Sequence, residues 1–140
     1  MKKFNNFVVF GLLASLLLTS CAAPTVEVAL LKITIGSTVD ELCKSDIEAF
    51  EEITVFYTNK DGETTTYYGY ALTDILTTIT DSSVITFTAA DGYTAEMSGT
   101  DLLACDDCII AFQDDGTLRL VMPNQSSKLQ VKDLVEIAIK

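Results

Sequence analysis

Apolar and polar residues alternate most regularly within Val84–Ser98. Every second residue is apolar from Ile85 to Ala89 and again from Tyr93 to Met97. A period of two is typical of a strand that buries one face. Between the two runs, Gly92 can adopt positive φ at little cost and Asp91 can accept a bond from the backbone just beyond it. The pattern therefore predicts two antiparallel strands joined by a tight turn.

The same criteria predict further strands along the chain. β-branched, aromatic and aliphatic runs are bounded by Gly, Asn, Asp or Pro, which is typical of strands separated by turns. One pair of runs flanks Asn59-Lys60-Asp61-Gly62, a strong hairpin signal, and Asp114-Asp115-Gly116 predicts another turn. The predicted strands are Val26–Ile35, Ile53–Thr58, Thr64–Tyr68, Ile109–Phe112, Leu118–Met122 and Glu136–Ile139.

Three short helices are predicted between these strands. Thr38-Val39-Asp40-Glu41 has the form of a capping box, so a helix is expected from Thr38 to about Ser45. Apolar residues recur at helical spacing in Ala71–Ile79, and Gly99–Leu103 has the form of a capped helical turn. Together the elements predict an α+β domain, built on one mixed, largely antiparallel sheet with short helices.

The N-terminal residues predict export and lipidation. Lys2 and Lys3 precede the apolar run Phe7–Leu18, which is short for a membrane-spanning helix. The run ends in Leu18-Thr19-Ser20-Cys21, which resembles the bacterial lipobox. Residues 1–20 are then a signal peptide, residues 21–25 the lipidated Cys21 with a short tether, and residues 26–140 one domain. The alternative is an ordinary signal peptide that contains a cysteine.

Composition narrows the range of partners. Once Lys2 and Lys3 are removed with the signal peptide, seven basic and 20 acidic residues leave a net charge of −13. Such a domain is repelled by nucleic acid and by anionic lipid, so the membrane is expected as a partner only through the lipid anchor, on the outer face of a bacterial membrane. The chain has no His, which excludes imidazole as a general base or metal ligand.

Several segments of the chain are similar to those of one known family and come in the same order. The segment Tyr68–Leu76 resembles the motif G-V-x-L-x-D-L-L, and Val84–Ser98 resembles the strand-Asp-Gly-Tyr-strand that follows that motif in the family. The further similar segments are Asp101–Leu103, Ile109–Phe112, Asp115-Gly116, Arg119–Pro123, and Val131–Leu134 with Ile137. Together these segments resemble the molybdopterin-binding domain of sulfite-oxidase-type oxidoreductases, and the resemblance implies the family fold for nearly the whole expected domain.

The chain departs from this family where the family binds its cofactor. The resemblance implies a molybdenum-ligating cysteine near Tyr57–Asn59, but residues 53–70 contain no cysteine. Arg119, Lys128 and Lys132 form the only basic cluster of the sequence. They could bind an anion such as the cofactor phosphate, or they could be solvated charges at strand edges. We therefore expect no cofactor and no metal site, although the resemblance makes molybdopterin the one candidate.

Cys105-Asp106-Asp107-Cys108 is a second candidate for chemistry. A C-x-x-C motif can be a structural disulfide, a reduced pair, a redox pair, or a metal site with Cys43 as a third thiolate. Two enclosed carboxylates favour the neutral thiol, which disfavours redox reactivity. The interpretation we favour is a non-catalytic module that binds a small molecule or a protein, with no catalytic residues. The alternatives are a molybdopterin-dependent oxidoreductase, or its subunit, without a Cys ligand, and a thiol-redox protein that uses Cys105 and Cys108.

Overall fold

The computed structural model describes residues 26–140. The predicted signal peptide, Cys21 and the tether lie outside the described residues. None of the helices in the described part is long and apolar enough to cross a membrane. In chain order the elements are β1 (Leu31–Ile35), β2 (Thr38–Leu42), α1 (Lys44–Glu48), β3 (Glu52–Thr58), β4 (Thr64–Ala71), α2 (Leu72–Ile75), β5 (Val84–Ala89), β6 (Thr94–Ser98), α3 (Gly99–Leu103), β7 (Ile109–Phe112), β8 (Leu118–Val121), a 3-10 helix (Ser127–Leu129) and β9 (Leu134–Ile139).

The strands form two sheets. The first is mixed, with the order β2-β1-β9-β5-β6, in which only β1 and β9 are parallel. The second is antiparallel throughout, with the order β3-β4-β7-β8. The predicted α+β class with a mixed, largely antiparallel arrangement is confirmed, but the strands are divided between two sheets and not gathered in one. Alternation within a strand indicates its buried face and does not identify its neighbour.

The main hydrophobic core is built from both sheets. From the first sheet, Leu31, Ile85, Phe87 and Ile137 are fully or almost fully buried. The second sheet contributes Tyr70, Ile110, Leu118 and Leu120 from one of its faces, and the short helices contribute Ile47, Leu72 and Leu102. Each buried side chain of this kind contributes about 1.5–3 kcal/mol relative to its exposed state, so this core holds the two sheets together.

The predicted hairpin at residues 84–98 is confirmed. Ile85, Phe87 and Ala89 are buried on β5, and Ala95 and Met97 are buried on β6. Gly92 has φ +88°, and the backbone N–H of Tyr93 donates to Oδ1 of Asp91 at 2.9 Å. The Tyr93 ring, which the pattern placed with the apolar residues, remains 45% exposed, and its hydroxyl donates to the carbonyl oxygen of Lys128.

The predicted helix from Thr38 to Ser45 is wrong, because Thr38–Leu42 forms β2. Gly36, with φ +58°, is the first of two turn residues that reverse the chain, so β2 pairs directly with β1. This pairing satisfies backbone groups that the capping box would otherwise have satisfied in a helix. The helix begins only at Lys44, where the Asp46 carboxylate accepts from the backbone N–H of Cys43 at 2.8 Å.

Several other element boundaries differ from the prediction by one to five residues. Residues 26–30 are not part of a strand, although the backbone of Leu30 donates to Leu42 at 2.8 Å. The helix expected over Ala71–Ile79 is limited to Leu72–Ile75, because β4 continues through Ala71 to pair with Ile109 of β7. Sheet pairing thus overrides the helical spacing at the start of that segment.

Candidate binding cleft

The second sheet buries apolar residues on both faces. Val55, Ile109, Ala111 and Val121 are buried on the face opposite the main core. Three half-buried residues of the long β3–β4 hairpin, Ile53, Tyr57 and Tyr67, pack against them. β4 pairs with β7 only at Tyr70 and Ala71, so most of the β3–β4 hairpin extends past the paired part of β7. Side chains of this extended part still contact the small second core.

A cleft of about 520 Å³ opens between β4 and the β7–β8 hairpin. Its volume falls within the range of small-ligand sites. The lining comes from the start of β3, from β4, from the end of β7 and its turn, and from β8. The lining residues are Glu52, Thr65, Thr66, Tyr67, Tyr68, Phe112, Gln113, Asp114 and Arg119. Aromatic rings, hydroxyls and one cation thus converge on one concave surface.

Arg119 is the cation of this cleft. Its guanidinium carbon lies 4.7 Å from the centre of the Tyr67 ring, within the range of a cation–π contact. Among residues 26–140 it forms no salt bridge, and its buried Nε has no hydrogen-bond partner. Glu52 and Asp114 line the same cleft but are exposed to solvent. A half-buried guanidinium without an acceptor is well suited to bind a carboxylate or carbonyl oxygen.

The three basic residues selected from the sequence do not line one cleft. Lys128 and Lys132 border a separate depression of about 340 Å³, together with Asp91 and Asp133. Arg119 and Lys132 are neighbours through an isolated backbone bridge, yet the Arg119 side chain packs on Tyr67. The two carboxylates beside the lysines reduce the attraction of that depression for an anion.

Cys105 and Cys108 form a disulfide bond with a Cα–Cα distance of 5.5 Å. The two residues are 5% and 1% exposed and belong to the main core. Asp107 lies beside them, and the three are the only cluster within the described chain that has the spacing of a metal site. Bonded to each other, the sulfur atoms are not thiolate ligands, so this cluster is not a metal site in the oxidised state.

Cys43 is the only free cysteine within residues 26–140. It precedes α1, and its thiol donates to the carbonyl oxygen of Glu27 at 3.6 Å. Partial desolvation raises the pKa of this thiol, and the negative charges of Asp46, Glu27 and Glu41 raise it further. The thiol form is therefore favoured, which makes Cys43 a poor metal ligand.

The residues near the cleft do not fit a thiolate-ligated molybdopterin. Tyr57–Asn59, where the resemblance implies the ligand, forms the end of β3 and the start of its turn. The cysteines of residues 26–140 are the bonded pair and Cys43 with its raised pKa. The cations are divided between two depressions that also contain carboxylates. This donor set lacks both the soft ligand and the phosphate-binding cluster that such a cofactor requires.

The comparisons with known proteins show the fold. The sulfane dehydrogenase SoxCD from Paracoccus pantotrophus is similar in structure, with a TM-score of 0.61 and 17% sequence identity. The similarity covers 78% of this chain and 37% of that protein's chain. No protein-family model and no curated protein matches the sequence. The chain therefore has a molybdopterin-oxidoreductase-like α+β fold and spans little more than a third of that neighbour's length.

Sequence reasoning identified Arg119 and missed the residues around it. The pattern predicts only that Tyr67 and Tyr68 lie in one strand and Phe112 in another, and it gives none of the three a role in binding. Tyr67 lies beside Arg119 although β4 and β8 do not pair, and no local sequence pattern encodes a contact between strands that are not neighbours. The signal that could have been used is the uncharged aromatic run in β4, which is unusual for a strand with an open edge.

Proposed function

We propose that this chain is an extracytoplasmic, membrane-anchored lipoprotein whose domain is a non-catalytic binding module. The cleft beside Arg119 is its binding site. The observation that carries the proposal is the cleft itself, which combines a half-buried, unpaired guanidinium with three aromatic rings and has no thiolate ligand. Such a surface can hold a ligand, but it offers no group that is set up for acid, base or nucleophilic catalysis.

The anchoring part of the proposal rests on the sequence of residues 1–25. A lipid-modified Cys21 would tether the domain through the four residues 22–25, at roughly 3.4 Å each, so the cleft would act close to the membrane. Replacement of Cys21 by alanine should release the protein from the membrane fraction. In wild-type protein purified from the membrane fraction, mass spectrometry should detect acyl chains on the N-terminal peptide.

The alternative function is a molybdopterin-dependent oxidoreductase, or its subunit, that holds the cofactor without a cysteine ligand. It draws support from the similarity of fold alone, and a fold can host many functions. Molybdopterin would supply oxygen-atom or electron transfer at its metal. Among residues 26–140, the cleft offers neither a thiolate for the metal nor a basic pocket for the phosphate.

Metal analysis separates the two functions. The full-length protein is produced in a bacterial host that synthesises the cofactor, purified from its membranes, and analysed for molybdenum by mass spectrometry. The proposed module should contain no stoichiometric molybdenum and show no visible absorption band. One molybdenum per chain would overturn the proposal and establish the enzyme. A known molybdopterin enzyme purified from the same host serves as the control for cofactor supply.

A further inference from the structure

β4 has a free edge over most of its length. Its backbone pairs with β3 from Thr64 to Tyr70, but on the opposite side it pairs with β7 only at Tyr70 and Ala71. Within the described chain, the outward-facing backbone groups of residues 64–69 have no strand partner. An extended strand with unpaired N–H and C=O groups is a template for the addition of another strand.

The free edge lacks the features that normally prevent such pairing. Residues 64–68 are Thr-Thr-Thr-Tyr-Tyr, with no charge, no proline and no bulge in their pairing with β3. In the other sheet, the edge strand β2 carries Asp40 and Glu41. β-branched and aromatic residues favour extended partners, and charged edges discourage them. β4 is therefore open to strand addition where β2 is protected.

Arg119 adds chemical selectivity at this edge. It lines the same cleft as Thr65–Tyr68, is held by the Tyr67 ring, and has no salt bridge among residues 26–140. A carboxylate of an incoming segment would supply the missing acceptor. The exposed Glu52 and Asp114 at the rim and the expected net charge of −13 disfavour a segment with several negative charges.

We propose that the cleft binds an extended segment of another protein as an added strand on β4, with one carboxylate of that segment on Arg119. This inference rests on the proposed binding function and specifies its partner. A second copy is disfavoured as the occupant, because its own β4, residues 64–71, carries no carboxylate and would leave Arg119 without an acceptor.

The test uses the mature chain with three fluorescent heptapeptides of alternating threonine and valine. One carries a central glutamate, the second a central lysine, and the third is the glutamate peptide with alternate amides N-methylated. By fluorescence anisotropy the glutamate peptide should bind at least about tenfold more tightly than the lysine peptide. N-methylation should abolish binding, because it removes the donors that an added strand requires.

Two pairs of variants locate the site. Arg119→Gln should remove the preference for glutamate over lysine, and Lys132→Gln in the neighbouring depression should retain it. Thr66→Lys, in the cleft, should weaken binding, whereas Thr54→Lys, on the same face of the hairpin but outside the cleft, should not. Far-UV circular dichroism verifies that each variant is folded.

Three results would overturn the inference: no binding of any peptide, equal binding of the N-methylated peptide, or a chain that self-associates through β4 in sedimentation experiments. These results leave the molybdenum analysis unchanged, so failure of this inference is distinguishable from failure of the proposed function. Stoichiometric molybdenum would instead remove the binding function on which the inference rests.

Discussion

The guanidinium of Arg119 stacks on the ring of Tyr67, at 4.7 Å from its centre, and connects the β7–β8 hairpin to β4 across the floor of the cleft. The contact joins two strands that do not pair with each other. It holds a cation in a half-buried position without a carboxylate partner. Because Arg119 is held by a ring and not by a carboxylate, its guanidinium N–H groups other than the buried Nε remain available to a ligand.

Replacement of Tyr67 by leucine should destabilise the domain and weaken its binding site. The change removes the cation–π contact, worth about 0.5–1 kcal/mol, and part of the packing on the second core. We expect the free energy of unfolding to fall by about 1–2 kcal/mol in urea titrations. Tyr67→Phe is the matched control, because it keeps the ring and should change stability by less than about 0.5 kcal/mol. Equal losses in the two variants would show that the ring face is not what holds Arg119.

Gly99 should not tolerate a side chain. A Cβ at this position would lie 1.9 Å from the carbonyl oxygen of Thr80, and Gly99 also donates its backbone N–H to Ser83 at 2.7 Å. Gly99→Ala therefore forces the start of α3 away from the loop before β5. We expect a loss of more than about 2 kcal/mol in the free energy of unfolding.

Gly62→Ala is the control for that change. Gly62 has φ +84° and no atom within 4 Å of an added Cβ, so it has a conformational cost but no clash. Its loss should be about 1–2 kcal/mol, typical of a left-handed residue without strain from neighbours. A Gly99→Ala variant that is more stable than Gly62→Ala would contradict the close approach at Thr80.

The hairpins could be predicted from the sequence, but the way in which they are arranged in two sheets could not. The Asp-Gly pairs that end at Gly62, Gly92 and Gly116 predict turns from local sequence alone, and each of these glycines has positive φ in the structure. The capping box at Thr38 was misleading, since a helix and a strand compete for the same backbone groups and the pairing with β1 was decisive. Two features of the fold depend on contacts between residues that are distant in the sequence. One is the parallel pairing of β1 with β9, and the other is the separation of β3, β4, β7 and β8 into a second sheet.

The same distinction applies to the site. The sequence places three basic residues near one another: Arg119, Lys128 and Lys132. In the structure Lys128 and Lys132 line one depression, but the side chain of Arg119 contacts Tyr67 of β4. A basic cluster in sequence becomes a site only when neighbouring strands direct the side chains to one side. The cleft opens where the pairing of β4 with β7 ends at Tyr70, next to Gly69, at which an added Cβ would lie 2.3 Å from the carbonyl oxygen of Ile110. That close approach is a property of the folded backbone.

The Cys105–Cys108 disulfide should act as a structural bond. Its loop of four residues restricts the unfolded chain only modestly, so replacement of both cysteines by alanine should cost about 2 kcal/mol from chain entropy, with a further loss from packing. Because both residues are almost fully buried, reductant should reach the bond only when the domain opens.

Alkylation with mass spectrometry measures this accessibility. In native protein treated with dithiothreitol, labelling of Cys105 and Cys108 should be slow and should accelerate with urea. Cys43 is the internal control, since it is partly exposed, and its raised pKa should make its labelling rate increase as the pH rises above neutral. Rapid labelling of Cys105 and Cys108 in the folded protein would instead support the thiol-redox alternative.

Stability should fall in mild acid partly through Glu136. Its carboxylate is bonded to Nζ of Lys32 and to Oγ1 of Thr34, each at 3.0 Å, across the parallel pair β1–β9. The hydrogen bond with Lys32, and after it the bond with Thr34, lowers the pKa of Glu136 below its ordinary value of 4.5. A carboxyl group whose pKa is lower in the folded state stabilises the fold when it is ionised. This contribution is fully present above about pH 4.5, and it is lost as the pH falls through the lower pKa of the folded state.

The free energies of unfolding of the wild type and of Glu136→Gln therefore converge in acid. Urea titrations between pH 7 and pH 3 should show the wild type more stable at pH 7, with the difference approaching zero at the acid end. Lys32→Met removes the larger cause of the lowered pKa and leaves the carboxylate in place. In the Lys32→Met background, the further change Glu136→Gln should therefore alter the pH dependence of stability much less than it does in the wild type. A difference between wild type and Glu136→Gln that stays constant over this range would mean that the pKa of Glu136 is the same in the folded and unfolded chains. The bond to Lys32 would then contribute nothing to the parallel pairing that closes the first sheet.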